Sequence, residues 1–199
     1  MLKAMRCLVC ENLSLKLLCQ HCLDSLPLRP TSRVLECGLS VHSFFGLNDI
    51  APIIHSKYHI FGSRILSRLS GHCARYFFAK VDIPAHTTAI GLDDLPRKHY
   101  AHTAIIVRAF CRASGGVLRP SYGTLIASNP ISYAGKSLEF RQSNPRNFVY
   151  KPKIHKPDMG VILFDDIITS GLTLTQAYEC LNAHNVRVLF AITLADAKF

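Results

Sequence analysis

The sequence predicts an α/β fold with a parallel sheet, preceded by a cysteine-rich N-terminal module. From about residue 86 onward, short apolar runs alternate with helical patterns. Strands separated by helices pair in parallel, with right-handed crossovers. Four of the eight cysteines fall within the first 26 residues. We therefore expect a cysteine module over residues 1–33 and an α/β domain over residues 34–199.

The composition suits a globular protein with a polyanionic partner. The chain has 199 residues, of which 49% are hydrophobic, and this is enough for one core domain with a small appendage. A net charge of +10 favours nucleic acid or an acidic membrane surface as partner. The alternative is that the positive charge reflects average composition and serves no partner. The N-terminus does not read as a signal peptide, and the late apolar run Val188–Ala195 is too short to span a bilayer. A reducing compartment is then expected, where disulfides are rare.

The N-terminal cysteines predict a structural zinc site. They form two C-x2-C pairs separated by eight residues. Each pair directs two thiolates at one ion, and two pairs complete the closed tetrahedral set of a structural site. A redox dithiol, the alternative, needs only one such pair. The predicted ligands are Cys7, Cys10, Cys19 and Cys22.

Within residues 34–80, two strand-like stretches are followed by the pattern of an amphipathic basic helix, with Ile65, Leu66, Leu69, Cys73 and Phe77 at its apolar positions. Its apolar positions recur at helical spacing, and three arginines lie between them. This pattern places one face on a core and the other in solvent. The arginines are Arg64, Arg68 and Arg75.

The remaining elements alternate. Predicted strands are Thr87–Leu92, Tyr122–Ser128, Val161–Phe164 and Val186–Leu194. Predicted helices are Pro96–Arg112, Ala134–Ser143 and Leu172–His184.

The segment Val161–Thr173 carries the clearest functional signal. Four apolar residues are followed by Asp165 and Asp166, whose side chains should diverge so that one reaches a ligand. A turn rich in hydroxyls then opens a helix, where N–H groups and the helix dipole favour a phosphate. Carboxylates suit ribose hydroxyls or Mg²⁺. The candidate binding residues are Asp165, Asp166, Ile168, Thr169, Ser170, Gly171, Leu172 and Thr173.

This segment resembles the phosphoribosyl pyrophosphate signature of type I phosphoribosyltransferases. With the cysteine pairs in front of it, the chain as a whole resembles the ComF family. The resemblance implies a phosphoribosyltransferase-like parallel sheet with an N-terminal zinc finger and a phosphoribosyl-containing ligand. The family's pyrophosphate loop corresponds to a shorter region, Ile90–Asp93 followed by Lys98–His102.

The ComF resemblance also implies a role in natural transformation. Such a protein would act on incoming single-stranded DNA in the cytoplasm, with association with the inner face of the membrane as a further expectation. A DNA-uptake helicase and recombination proteins are implied partners. The alternative is an active phosphoribosyltransferase that uses phosphoribosyl pyrophosphate with Mg²⁺.

A basic segment between residues 136 and 156 is the predicted surface for single-stranded DNA. Cations contact phosphates, and interleaved aromatic rings such as Phe148 and Tyr150 can stack on bases. A solvated basic loop with Phe148 in the core is the alternative. His99, His102 and His155 are interpreted as surface histidines. The candidate cations are Lys136, Arg141, Arg146, Lys151, Lys153 and Lys156.

Overall fold

A seven-stranded, mostly parallel sheet forms the centre of the molecule. The computed structural model describes residues 6–96, 100–129, 131, 133, 135–152 and 160–199. The strand order is β1-β2-β9-β8-β4-β5, and β3 also pairs with β9. Only β1 runs antiparallel to its neighbour. The predicted α/β fold with a parallel sheet is confirmed.

The elements follow one another in short segments. The strands of the main sheet are β1 (Thr31–Val34), β2 (Ser40–Ser43), β3 (Phe45–Gly46), β4 (Thr87–Gly91), β5 (Leu118–Pro120), β8 (Val161–Ile168) and β9 (Val188–Asp196). A separate antiparallel pair is formed by β6 (Leu125–Ala127) and β7 (Phe148–Tyr150). The helices are α1 (Gln20–Asp24), α2 (Leu47–His55), α3 (Gly62–Phe78), α4 (His102–Ala113), α5 (Leu138–Ser143) and α6 (Leu172–Ala183). A single 3-10 turn, Ser56–Tyr58, follows α2.

Two apolar cores lie on the opposite faces of the sheet. On one face α3 and α4 pack around Phe44, Phe110 and Phe164. On the other face α6 covers a core that includes Leu163 and Leu181. Since neighbouring residues of a strand face opposite ways, the uninterrupted apolar run at the start of β8 contributes to both cores.

The cysteine module packs against the first of these cores. Cys7, Leu18 and Leu23 are buried in the same cluster as the apolar face of α3. The predicted boundary between residues 33 and 34 falls within β1, which pairs with β2 of the main sheet. The N-terminal module therefore shares its core with the rest of the chain.

Several predicted elements need new bounds. The helix expected over Pro96–Arg112 begins at His102, since Ala101 has extended backbone; residues 97–99 lie outside the described part. The strand expected at Tyr122–Ser128 is limited to Leu125–Ala127, where pairing with β7 occurs. Among the described residues, no helix combines the length and the apolar character needed to cross a membrane.

Candidate functional site

A cavity of about 620 Å³ lies at the carboxyl end of β8. Its walls come from β8 itself, from the turn that follows, from the loop after β4 and from the segment between α2 and α3. Ligands of open parallel sheets bind at the carboxyl ends of strands. The cavity therefore lies where the topology predicts a ligand.

Both aspartates of β8 line this cavity. The strand was predicted to end at Phe164, but it continues to Ile168 because pairing with β9 persists beyond the acids. Asp165 stands opposite Thr193 in the register. The expectation that only one carboxylate reaches the ligand space is wrong, since Asp165 and Asp166 both border the cavity.

Asp166 forms a nearly buried ion pair with Lys57. The Lys57 Nζ lies 2.5 Å from Asp166 Oδ2, and the lysine side chain is only 8% exposed. Burial alone would lower the pKa of Lys57, but the carboxylate of Asp166 raises it above the ordinary value. The backbone carbonyl of Lys57 accepts a hydrogen bond from Tyr100 Oη at 2.7 Å. The pair links the 3-10 turn to the central strand, so one wall of the cavity is fixed against β8.

No cation among the described residues forms an ion pair with Asp165, and the pKa of this carboxyl lies near neutral pH. Burial and the neighbouring charge of Asp166 raise the pKa of Asp165 from 3.8 to about 7. Its Oδ1 accepts a hydrogen bond from the Asp166 N–H at 2.8 Å. A carboxylate in this state gains from an added cation or from hydroxyl donors, because both favour the charged form.

The turn after β8 presents hydroxyls and a helix N-terminus to the cavity. Thr169 and Thr173 line it, and α6 begins at Leu172 after Gly171. Gly171 has φ +91°, and a Cβ at this position would lie 2.6 Å from a methyl group of Leu35. The Leu172 N–H donates to Ser170 Oγ at 3.3 Å, and Gly171 at the cap has no side-chain acceptor, so the remaining N–H groups of the first turn of α6 are available to an anionic ligand.

Two cations of the predicted nucleic-acid segment, Arg141 and Arg146, line this cavity. Arg141 donates from Nη1 to Thr169 Oγ1 at 2.6 Å. Arg146 donates from Nη1 to the Ile131 carbonyl at 3.1 Å, and its guanidinium lies 4.6 Å from the ring centre of Tyr133. Arg146 Nη1 also lies 4.0 Å from Asp93 Oδ2. Both arginines border the cavity close to the turn after β8, where they can contact an anionic group of a ligand.

The remaining residues of that segment differ in their exposure. Lys136 and Lys151 are exposed, whereas Lys153 and Lys156 lie outside the described residues. Phe148 and Tyr150 are half-buried against the core beneath α6. Phe148 also lines the cavity at the end of β8, so it borders both the ligand space and the core.

Sequence reasoning missed several cavity residues. Lys57, Tyr58 and Tyr100 carry no motif, and only the fold brings them to β8. His102 was interpreted as a surface histidine, but it is half-buried and its Nε2 lies 3.0 Å from the Lys57 carbonyl oxygen. Burial lowers the pKa of His102, which favours the neutral form of the ring. The other two histidines of that interpretation, His99 and His155, lie outside the described residues.

The loop after β4, the predicted counterpart of the pyrophosphate loop, is held by backbone contacts. Asp94 is buried and accepts a hydrogen bond from the Gly123 N–H at 2.7 Å. A Cβ on Gly91 would lie 3.1 Å from Thr103, so the strand end approaches α4 closely. Lys98 and His99 of this loop lie outside the described residues. The described part of the loop contributes Leu92, Asp93 and Leu95 to the cavity.

The four N-terminal cysteines converge on one point. The sulfur atoms of Cys7, Cys10, Cys19 and Cys22 all lie within 4.8 Å of one another. The Cys10 and Cys19 sulfurs are 3.8 Å apart, close to the spacing of about 3.8 Å that a tetrahedron with Zn–S bonds of about 2.3 Å requires. The predicted cysteine set is thus brought together in a geometry that fits one metal ion.

The thiols of this cluster differ in acidity. Burial acts to raise the pKa of Cys7, but hydrogen bonds from the N–H groups of Cys19, Cys10 and Val9 hold it at about 6. Burial and the three neighbouring thiols raise the pKa of Cys22 to about 12. Four thiolates cannot gather here without a compensating cation, so the cluster is chemically suited to a divalent ion.

Comparisons with known proteins agree on fold alone. No family model and no curated protein matches this sequence. The chain is similar to a solved adenine phosphoribosyltransferase, with 15% identity, 87% of this chain and 88% of that chain covered, and a TM-score of 0.42. It is also similar to adenine phosphoribosyltransferase from Saccharomyces cerevisiae in complex with an imino-altritol bisphosphate and adenine (15% identity, 89% of each chain, TM-score 0.40). A third is a variant of hypoxanthine phosphoribosyltransferase from Trypanosoma cruzi (19% identity, 70% of this chain and 68% of that chain, TM-score 0.37).

Removing one ligand of the cysteine cluster should release the metal and destabilise the chain. We expect about one zinc ion per chain in the purified protein and none in Cys10→Ser, because three thiolates hold a structural ion far less well. Solubility and the thermal midpoint should fall with it, since the cluster shares the first core. Elemental analysis and thermal unfolding measure both. Cys37→Ser, outside the cluster, is the matched control and should retain the metal. Metal-free wild-type protein that unfolds like the variant would contradict this expectation.

The raised pKa of Asp165 predicts a specific pH dependence of stability. Between pH 4 and the folded-state pKa of about 7, the folded chain holds a proton that the unfolded chain releases. The contribution of Asp165 is therefore fully present below about pH 4 and is lost as the pH rises to about 7. Asp165→Asn cannot ionise, so its stability relative to wild type should increase across this window and then level off.

Denaturant unfolding at several pH values measures this difference directly. Glu179→Gln removes an exposed carboxylate on α6 and provides the matched control. Its stability relative to wild type should change little over the same range. A flat difference for Asp165→Asn would show that the carboxyl ionises normally in the folded chain.

Proposed function

We propose that this chain binds a phosphoribosyl-containing ligand in the cavity at the end of β8. The observation that carries the proposal is the joint placement of paired carboxylates and a phosphate-type turn around one cavity. Asp165 and Asp166 suit ribose hydroxyls, and the turn from Thr169 to Thr173 suits the 5′-phosphate. The two groups come from the same strand–turn–helix unit, so their separation is fixed by backbone geometry.

The cations around the cavity support a ligand with more than one anionic group. Lys57 is committed to Asp166, whereas Arg141 and Arg146 flank the turn from another side. Asp165, with its raised pKa and its place on the cavity wall, fits a Mg²⁺ ion bound directly or through water. Phosphoribosyl pyrophosphate with Mg²⁺ matches this set of charges.

We further propose that the protein belongs to the ComF family and handles incoming single-stranded DNA during natural transformation. The resemblance to that family, the cysteine set that fits structural zinc, and the net charge of +10 support this proposal. The expected location is the cytoplasm, with association with the inner face of the membrane. A DNA-uptake helicase and recombination proteins are the proposed protein partners.

Ligand binding is tested with the phosphoribosyl donor itself. Phosphoribosyl pyrophosphate should bind in the presence of Mg²⁺, and Thr173→Val should weaken binding about tenfold or more, because one hydrogen bond to a charged group contributes about 1.5–3 kcal/mol. Isothermal titration calorimetry measures both affinities. Thr175→Val makes the same change two residues further along α6, outside the cavity. This variant should bind phosphoribosyl pyrophosphate like wild type. Equal loss in both variants, or no binding by wild type, would contradict the proposed ligand.

An active phosphoribosyltransferase is the second candidate. Enzymes of this kind act mainly by positioning and charge stabilisation. The observation that favours it is the pair Arg141 and Arg146 beside Asp165, because cations near a leaving pyrophosphate stabilise its developing charge. The rings of Tyr58 and His102 both border the cavity and meet nearly at right angles, with centroids 6.1 Å apart, so the face of one of them can contact a flat acceptor.

Turnover distinguishes this second candidate from binding alone. A transferase should release pyrophosphate from the donor only when both Mg²⁺ and an acceptor base are present. Asp165→Asn should abolish that release, while Glu179→Gln should leave it unchanged. A coupled pyrophosphate assay with a panel of nucleobases provides the measurement. Tight donor binding without any release across the panel would leave ligand binding as the function.

A further inference from the structure

The basic helix predicted from the sequence has no part in the cavity at β8. Its apolar face, with Ile65 and Leu69, is buried in the first core, while Arg64 is exposed. Arg64 and Arg68 are four residues apart and therefore lie on one face of α3. The same spacing recurs in α4, where Arg108 and Arg112 are both exposed.

These two rows of arginines meet in a second cleft. It encloses about 430 Å³ between α3, α4 and the loop that joins the two cysteine pairs. Five cations line it, together with serine hydroxyls and a few aliphatic side chains. The cations are Lys16, Arg64, Arg68, Arg108 and Arg112.

No carboxylate balances this charge within the part of the chain that the structure describes. Acidic residues are absent from the lining of the cleft, and none of its five cations forms an ion pair with a described carboxylate. Arg68 Nε is buried without a hydrogen-bond partner, although Nη2 donates to Gln20 Oε1 at 3.0 Å. Like charges four residues apart on a helix destabilise it. The arrangement therefore costs stability unless an anion occupies the cleft.

We propose that this cleft binds the phosphate backbone of a single nucleic-acid strand. The proposal rests on the proposed handling of single-stranded DNA and assigns that activity to a surface the sequence analysis did not select. Successive arginines on each helix are about 6 Å apart along the axis, so each row can contact neighbouring phosphates of an extended strand. Four of the five cations are arginines, whose planar guanidinium groups pair with phosphate oxygens bidentately.

The shape of the surface favours a strand over a membrane. A bilayer surface is flat on this scale and cannot enter a concave cleft, whereas an extended strand can. No aromatic ring of the described residues lines the cleft, so backbone contact rather than base stacking dominates, and binding is expected to be independent of sequence. Leu15, which is 93% exposed at one edge, offers an apolar surface to sugars or bases.

The cysteine cluster contributes to the same cleft. Lys16 and Leu15 lie in the loop between Cys10 and Cys19, and Gln20 follows directly after Cys19. A metal at the cluster would hold this loop against α3, so one wall of the cleft depends on the ion. The N-terminal module thereby acquires a role in binding as well as in stability.

The test compares three double variants that each remove two positive charges. Arg64→Ala/Arg108→Ala takes one cation from each helix of the cleft. Lys136→Ala/Lys151→Ala takes two cations of the segment predicted from sequence, both exposed in its described part. Arg75→Ala/Arg187→Ala removes exposed arginines that line neither cavity and is the control for bulk charge. Binding of a labelled short oligothymidylate is measured by fluorescence anisotropy over a range of salt concentrations.

Five phosphate contacts predict a slope of about −3.5 in a plot of log affinity against log salt, or about 100-fold weaker binding between about 50 and 200 mM salt. The cleft variant should reduce the steepness by about 1.4 and weaken binding, while the control retains most of its affinity. Equal losses in all three variants, or a loss confined to Lys136→Ala/Lys151→Ala, would overturn the assignment. The assignment would also be overturned if the cleft variant bound the oligothymidylate like wild type but no longer bound vesicles of anionic lipid.

Four measurements keep this result separate from folding and from the ligand at β8. The cleft variant should retain the wild-type zinc content and a thermal midpoint at or slightly above that of wild type, because both substituted side chains are exposed and their removal relieves the repulsion within each helix. Arg112→Ala provides a second, milder variant with a smaller reduction in slope of about 0.7. Phosphoribosyl pyrophosphate should bind the cleft variant like wild type, so failure of the cleft leaves the proposed ligand untouched, and failure of the ligand leaves the cleft intact.

Discussion

Burial of β8 on both faces is the constraint on which the rest of the structure depends. Val161 and Leu163 face the core under α6, and Ile162 and Phe164 face the core under α3 and α4. Hydrogen bonding to β4 and β9 satisfies the backbone on both edges. The strand can become polar only where the cores end, and it is there that its carboxylates meet the cavity. The position of the site is thus a consequence of how the sheet is packed.

Charge around the cavity is organised by this same strand. The charge of Asp166 is compensated by Lys57, and this ion pair fixes the segment after α2. The pKa of Asp165, by contrast, is raised to about 7. Arg141 reaches the phosphate turn from α5, and Arg33 donates to the Thr169 carbonyl at 2.6 Å from β1. Elements far apart in the chain therefore converge on a turn of five residues. The second, uncompensated basic surface lies away from it, between α3, α4 and the cysteine loop.

Local patterns identified most of the elements that have strong periodicity or fixed ligand spacing. The helix α3, the strand–turn–helix unit at β8 and the cysteine set could be read directly, because each depends on residues close together in sequence. The end of β8 could not, since two aspartates normally mark the end of a strand, and only pairing with β9 up to Asp196 extends it. The start of α4 was also misplaced because it depends on a contact distant in sequence. Tyr100 precedes the helix, and its hydroxyl donates a hydrogen bond to the Lys57 carbonyl.

The sequence alone determined the fold class, the candidate phosphate turn and the four cysteines whose sulfur atoms converge. These follow from periodicity, turn chemistry and ligand spacing, which act over a few residues. The tertiary structure decided which cations face which surface. It placed Arg141 and Arg146 in the cavity, brought Lys57 to Asp166, and joined the arginines of α3 and α4 in one cleft. Such choices depend on contacts between residues distant in sequence, and the packing of helices on a sheet is what sets them.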